Sequence, residues 1–389
     1  MAAGGAMLAL PPGLSAADRG GPRQPSWLVN APNRQWVDLP SSTFARNPAG
    51  WSATRLAGSG NYQAIVDAWG GGILNTKGVT HGGSFIAGTF LVVFGGGHSD
   101  YAGNEVYAYG PLESDAPAWR RLTDPTMPPP QNVARVNGYP VSRHTYDTLQ
   151  YIPAQNRMLS MACAGFYSTG NSGAASDLFD FAVDAASTNP WMPNDKDFVG
   201  GNNPFVAMGC FNPVTQKAWL MGNGNNQKLA CWDARTGRWT GYPKDNPSIA
   251  NNSRASVWPA RNLMVFLDAK GNVKGQDLDD PVSPLYPISV KGDGPQPANV
   301  TIEWDSLSEC FVARAAEAGR TLHFLRPPTG PASGGSIWSW TSETPSEGAT
   351  PAPSNRQGTY GRFRFVDAGG IRGVLLMPTH DAPICFFKY

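Results

Sequence analysis

A strand pattern recurring six times constrains this chain more than any other feature of its sequence. An apolar run closing on small or polar residues reads TFLVVFGGG at 89–97, RMLSMACAG at 157–165 and KAWLMGNGN at 217–225. It returns as NLMVFLDAKG at 262–271, CFVARAAEAG at 310–319 and IRGVLLMPT at 371–379. Another run precedes each copy, such as RHTYDTLQYI at 143–152 or VTIEWD at 300–305. A third follows: NEVYAYG from Asn104, SDLFDFAV from Ser176, QKLACWDA from Gln227, weaker copies from Asn272 and Arg320, and APICFFKY ending at Tyr389. These runs are short, β-branched and aromatic, bounded by Gly, Pro, Asn or Asp, which is the signature of strands. Units that cannot bury their own faces must stack on copies of themselves.

A fourth strand is marked by one aromatic per unit: Trp119, Trp191, Trp239, Tyr286 and Trp340. The last unit has no such residue after its third strand. The missing piece stands at the other end of the sequence, where RQWVDLP at 34–40 matches AWRRLTDP at 118–125. Pairing first and last segments would close a ring and remove the exposed edge of an open array. The predicted fold is therefore all-β, a six-bladed β-propeller over 34–389 whose last blade is completed by the strand around Trp36. An extended Gly/Pro-rich arm at 1–33 precedes it. Seven blades is the alternative, with 41–62 as the stretch for the extra one.

Composition supports this and excludes other classes. The chain of 389 residues carries 45 Gly and 35 Pro, a density that interrupts helices and rules out a bundle or coiled coil. Only 15% of residues are charged while 13 are Trp, the reverse of a disordered composition. A formal net charge of +1 gives no footprint for nucleic acid or an anionic membrane, so neither is an expected partner. The five cysteines, 163, 210, 231, 310 and 385, include no CxxC pair, and four sit in apolar runs as buried free thiols. A reducing compartment is the setting that pattern suits. The N-terminal MAAGGAMLALPPGLSAADRG lacks a basic leader region and is broken by Pro11 and Pro12, so no secretory signal is expected. No stretch nears ~20 apolar residues. The histidines, 81, 98, 144, 323 and 380, form no HxH or HExxH spacing, and no metal or cofactor is expected.

The run FGGGHSDYAGNEVYAYGP at 94–111 resembles the kelch repeat: apolar strand, double glycine, polar loop, aromatic strand. WDARTGRW at 232–239 resembles that repeat's turn into its fourth strand. The resemblance covers 62–122 and 143–240; beyond 250, Asp268-Ala269 and Ala316-Glu317 stand where the double glycine would be. It implies that second-to-third and fourth-to-first connections share one face. That face collects the long polar loops, while first-to-second turns such as NPVTQK, PARN and DSLSE are tight. Long loops on a rigid scaffold are where binding concentrates. Candidate ligand-binding residues there are His98, Asp100, Tyr101 and Asn104, beside Glu105, and Arg143 and His144, beside Tyr146 and Asp147. Arg254 is placed in a position similar to Arg143. Arginines at a channel mouth suit a carboxylate or sugar acid. The alternative is structural: His98 and Asp100 tie the loop to its own backbone, Arg143 and Arg254 bridge blades through carbonyls, and Glu105 pairs with an adjacent blade.

The kelch fold is also similar to that of galactose oxidase, whose copper is held by two His and two Tyr, one cross-linked to Cys. His98, His144, Tyr101, Tyr146 and Cys163 are the residues available for such a set, but none lies in a matching motif. The SxDxGxTW boxes of six-bladed sialidases are absent. GGGHSDYAGNEVYAY followed by SRHTYDTLQYIP resembles kelch-like proteins of tailed bacteriophages and their hosts. That resemblance implies a non-enzymatic structural or adhesion component of a phage particle, tail-associated and assembled in the host cytoplasm. Its partners would be other virion proteins or a cell-surface glycan. A carbohydrate-active enzyme or lectin with a site at the channel mouth is the alternative.

Overall fold

The computed structural model describes residues 24–46, 61–97, 100–126, 133–161, 165, 175–195, 207–222, 229–243, 254–268, 270–296, 299–317, 319–328, 336–354 and 358–389. Six small antiparallel sheets stand in a ring, and the fold is a six-bladed β-propeller. From the channel outward, blade 1 runs Gly71–Asn75, Phe90–Phe94, Val106–Gly110 and Ala118–Arg121. Blade 2 runs Leu149–Ile152, Arg157–Ser160, Asp177–Asp180 and Trp191–Pro193. Blade 3 is Ala207–Asn212, Lys217–Gly222, Leu229–Asp233 and Arg238–Tyr242. Blade 4 is Ala255–Trp258, Leu263–Leu267, Val273–Asp277 and Tyr286–Pro287. Blade 5 is Thr301–Asp305, Cys310–Arg314, Leu322–Arg326 and Trp338–Glu343. Blade 6 is Phe363–Ala368, Ile371–Leu376 and Cys385–Lys388, with Trp36–Asp38 on its outer edge. Each inner strand adjoins those of the two neighbouring blades, and blade 6 returns to blade 1, so the ring is closed.

The outer-strand aromatics fall where the repeat put them, and their packing shows why the sequence needs them. A cluster of buried apolar side chains fills each of the six blade interfaces. Trp191 of blade 2 packs 4.9 Å from Phe94 of blade 1 between ring centroids. Trp239 of blade 3 sits among Leu178, Met161 and Leu159 of blade 2. The indole N–H then needs an acceptor. Trp239 donates to the Asn194 carbonyl at 2.9 Å, Trp36 to that of Arg320 at 2.9 Å and Trp119 to that of Ser42 at 2.7 Å. Trp36, Trp119 and Trp239 therefore each pack against the preceding part of the ring and hydrogen-bond to it, whereas among the described residues the Trp191 indole is held by packing alone.

Closure pairs Trp36 with Phe387, Val37 with Phe386 and Asp38 with Cys385. Residues 24–33, within the expected arm, lie on the seam of blades 6 and 1. Leu28 is buried there in the short helix Ser26–Val29, and the Lys388 ammonium donates to the carbonyls of Leu28 at 2.9 Å and Ala31 at 2.8 Å. The stretch considered for a seventh blade does other work. Its described parts are a 3-10 turn, Phe44–Arg46, and the approach to the helix Ala64–Asp67. Phe44, Ile65 and Val66 fill the wedge between blades 6 and 1, with Phe44 4.9 Å from Trp119. Residues 47–60 and 1–23 lie outside the described residues.

Two additions depart from the regular unit. The first-to-second connection of blade 1 is not tight, because it carries a hairpin, Gly78–His81 paired with Ser84–Ala87. The hairpin leans on blade 2, where Thr80 N–H reaches the Phe181 carbonyl at 2.8 Å and Gly83 N–H the Asp184 carboxylate at 2.5 Å. Blade 5 gains an outermost strand, Val290–Lys291, parallel to its fourth. Cys210, Cys231, Cys310 and Cys385 are free and buried, and burial raises each thiol's pKa. Among the described residues no helix is long and apolar enough to cross a membrane.

Candidate functional site

The long-loop face brings some of the candidate residues together and separates others. The Asp100 carboxylate lies 3.0 Å from His144 Nε2, and His144 Nδ1 lies 3.2 Å from the Tyr146 hydroxyl. The His144 ring leans on half-buried Trp69 at 4.5 Å. Asp100 comes from the second-to-third loop of blade 1, and His144 and Tyr146 from the connection into blade 2. An acid, an imidazole, a phenol and an indole therefore stand in contact on this face, with Asp100 and Trp69 partly accessible and His144 and Tyr146 buried behind them. His98 and Cys163 lie outside the described residues.

Tyr101, Asn104 and Arg143 face inward instead. Tyr101 is fully buried and donates to Glu105 Oε1 at 2.8 Å, and Tyr107 donates to the same oxygen at 3.3 Å. Glu105 thus pairs within its own blade, not with an adjacent one, and burial pushes its carboxyl above the usual range. Tyr101 is committed to this pair, so among the described residues it does not join His144 and Tyr146 in a metal set. No group of three or more His, Cys, Asp or Glu side chains there is arranged to hold an ion. Asn104 staples two connections, donating to the Pro140 carbonyl at 2.7 Å and accepting from Thr126 N–H at 2.9 Å. Arg143 is buried within blade 2. It donates to the carbonyls of Val141 at 3.3 Å and Ala175 at 2.9 Å and sits 3.2 Å from Asp177.

Arg254 belongs to a different place, which corrects the expected likeness to Arg143. Arg143 stands six residues ahead of its inner strand and pairs with Gly165, whereas Arg254 immediately precedes Ala255 and reaches across to the start of blade 6. Its counterpart is Arg362, immediately before Phe363. Arg362 is fully buried and donates to the carbonyls of Gly358 at 2.8 Å, Gly70 at 3.0 Å, Met377 at 3.0 Å and Pro378 at 3.3 Å. It stitches blade 6 to blade 1, and burial brings its pKa down to about 10. Arg254 donates to the carbonyls of Tyr360, at 3.2 Å, and Phe363 and to the Glu303 carboxylate, and lies 3.2 Å from Asp147. Arg364 lies 3.5 Å from the other Glu303 oxygen.

Asp147, Arg254, Glu303 and Arg364 are thus a four-charge cluster contributed by four elements around the axis. Asp147 is fully buried and also accepts from Ala255 N–H at 3.1 Å. Desolvation pushes its carboxyl up to about 7, with Arg254 and Arg364 opposing the rise. Burial lowers the pKa of Arg364. Sequence reasoning missed Glu303, Arg362 and Arg364. The available signal was their register: all three lie within the first positions of an inner strand, or just before one, inside otherwise apolar runs.

Beside this cluster the channel holds a cavity of about 330 Å³. Each blade lends a wall: Leu74, Tyr151, Phe211, Val257, Trp304 and Phe365. Arg254, Glu303 and Arg364 form its floor. Pro153, Pro213, Pro259 and Ser306 also border it, and all four belong to first-to-second turns. The cavity therefore reaches the face opposite the long loops.

No protein-family model matches the chain, and no curated protein matches it. Among solved structures, the chain is similar to the major allergen Mala s 1 of Malassezia sympodialis, at 11% identity over 83% of this chain and 93% of that one, with a TM-score of 0.47. It is similar to a structural-genomics protein of unknown function from Bacteroides thetaiotaomicron, at 10% identity over 90% and 75% of the two chains and a TM-score of 0.48. An ancestral GH74 enzyme is similar at 12% identity over 81% of this chain and 41% of that one, with a TM-score of 0.45.

Proposed function

We propose that this propeller is a non-enzymatic binding scaffold: a structural or adhesion component of a tailed-bacteriophage particle that meets other virion proteins or a cell-surface glycan through its long-loop face and N-terminal arm. The observation that carries the non-enzymatic part is where the polar groups go. Tyr101, Asn104, Glu105 and Arg143 are buried and spend their hydrogen bonds inside the fold. Such groups hold loops in place rather than act on a substrate. The phage assignment is supported by the kelch-like runs at 94–111 and 142–153 and their resemblance to phage-encoded proteins. Cross-linking mass spectrometry on purified particles tests it. Cross-links from the long-loop face to other particle proteins are expected, and absence of the chain from the particles would sink the assignment.

A lectin reading is favoured by one specific observation, the contact of Trp69, His144, Asp100 and Tyr146 at the mouth. An indole beside polar groups is chemistry that grips a sugar ring. Glycan-array binding that is lost in Trp69→Ala, with melting unchanged, would establish it; an array blank for the wild type would dismiss it.

A further inference from the structure

We propose that the central channel is a binding site for a small molecule with a flat apolar body and one carboxylate, entering from the tight-turn face and seated on Arg364, behind which Arg254 is buried. This stands apart from the long-loop face and does not rest on the function proposed above. The cavity volume, about 330 Å³, lies in the range of small-ligand sites, ~300–1,000 Å³. Phe211, Trp304 and Phe365 keep part of their surface accessible, although each sits on an innermost strand. Trp304 is held with its ring stacked 5.7 Å from Trp258, so its orientation is set before anything binds. Covering such walls with a flat apolar group removes aromatic surface from water without requiring the blades to move.

The floor selects the head group. Both carboxylate oxygens of Glu303 already face guanidiniums, Arg254 on one and Arg364 on the other. A cationic head would have to displace an arginine to reach it. The groups around Asp147 are Arg254 from blade 4, Glu303 from blade 5, Arg364 from blade 6 and the Cys210 thiol from blade 3. The thiol's pKa lies well above its ordinary value, so it is neutral. Burial pushes the Asp147 carboxyl toward its neutral form, which weakens the negative charge facing the two guanidiniums. The unmatched charge is positive, and it lines the floor of an otherwise apolar cavity. A carboxylate completes the balance and makes charge-assisted hydrogen bonds in a place shielded from water.

The test uses the full chain with 2-naphthoate and its neutral amide, 2-naphthamide, followed by calorimetry and tryptophan fluorescence. Naphthoate is expected to bind one saturable site at least about tenfold more tightly than the amide, as the loss of a charged hydrogen bond implies. Trp304→Ala, which leaves the charge cluster intact, should weaken both ligands. Glu303→Gln should tighten naphthoate alone by releasing the two guanidiniums. Arg364→Met should erase the preference; because Arg364 also holds the carbonyls of Gly361 and Gly72, the Trp304 and Glu303 variants keep the test independent of its folding. Equal affinity for acid and amide, no saturation by naphthoate at about 5 mM, or affinity unmoved by Trp304→Ala would each overturn the proposal.

Discussion

Trp69, Tyr146 and Tyr360 enter the inner strands of blades 1, 2 and 6 through left-handed backbone, with φ of 52°, 42° and 44°. For bulky residues this conformation costs ~1–3 kcal/mol each, so the surroundings must impose it. Tyr146 N–H bonds to the Trp69 carbonyl at 2.8 Å, and Gly71 N–H to Thr145 Oγ1 at 2.6 Å, locking the first two blades together at their entry. Gly71 has no room for a side chain because a Cβ would run into the Tyr146 carbonyl. Gly71→Ala is expected to cost about 2 kcal/mol or more, read as a fall in the urea midpoint. Arg143 teaches a related lesson. An arginine that grips a ligand carboxylate and one that grips its own blade present the same guanidinium, so its residue type and loop position made it a site candidate. Only burial against Val141, Ala175 and Asp177 distinguishes the two. Arg143→Gln is expected to lower stability by about 3 kcal/mol, since Asp177 keeps Arg135 but loses a buried partner. Glycan-array binding by the folded fraction should not change.

At the scale of elements, the blades were legible because each outer strand carries one large aromatic that packs between blades, and in blades 1, 3 and 6 it also hydrogen-bonds across the interface. Trp36 satisfies that rule from the far end of the sequence, which is why the closing strand was legible too. It is fully buried, 5.4 Å from Phe387. Trp36→Ala is expected to cost ~3–5 kcal/mol, measured by chemical denaturation. Removing residues 1–38 should lower the melting temperature further than removing 1–33, because only the longer deletion takes the strand from blade 6. The hairpin at 78–87 and the strand Val290–Lys291 were not legible. Neither carries the apolar run that marked the repeat, and both hold their place through contacts with neighbouring strands: the hairpin with blade 2 and Val290–Lys291 with the fourth strand of blade 5.

The whole molecule sets what neither residues nor blades show alone. The charge cluster draws Asp147, Arg254, Glu303 and Arg364 from widely separated parts of the sequence, and only the closed ring makes them neighbours. For the same reason the sequence directed attention to the long loops, while the cavity lies toward the tight turns. The cluster has a pH signature. Asp147 moves from an ordinary 3.8 to about 7 in the folded state, so the native protein holds more protons between those values. Its contribution is most favourable below about pH 4 and declines as pH rises to about 7, by up to ~1.4 kcal/mol per unit. Asp233, held low by Arg235, acts in the opposite sense, losing stability as pH falls. The difference in urea midpoint between wild type and Asp147→Asn isolates the first effect. That difference is expected to shift in favour of the variant as pH rises from about 4 to 7; a constant difference would show that Asp147 is ionised throughout.

The pairing of Trp36–Asp38 with Cys385–Phe387 also imposes a timetable. Each of the other five blades is assembled from strands that leave the ribosome close together. The strand around Trp36 emerges before any of them, yet its partner, Cys385–Phe387, follows all five. At ordinary rates of synthesis that is a wait of roughly tens of seconds. During that interval the half-built ring has a free end on either side, and the blade 5 and blade 1 faces that will flank the seam are open to solvent and to other nascent chains. Closing the circle therefore waits until the other five blades have been made, and it is the moment at which a neighbouring copy most easily supplies the wrong strand.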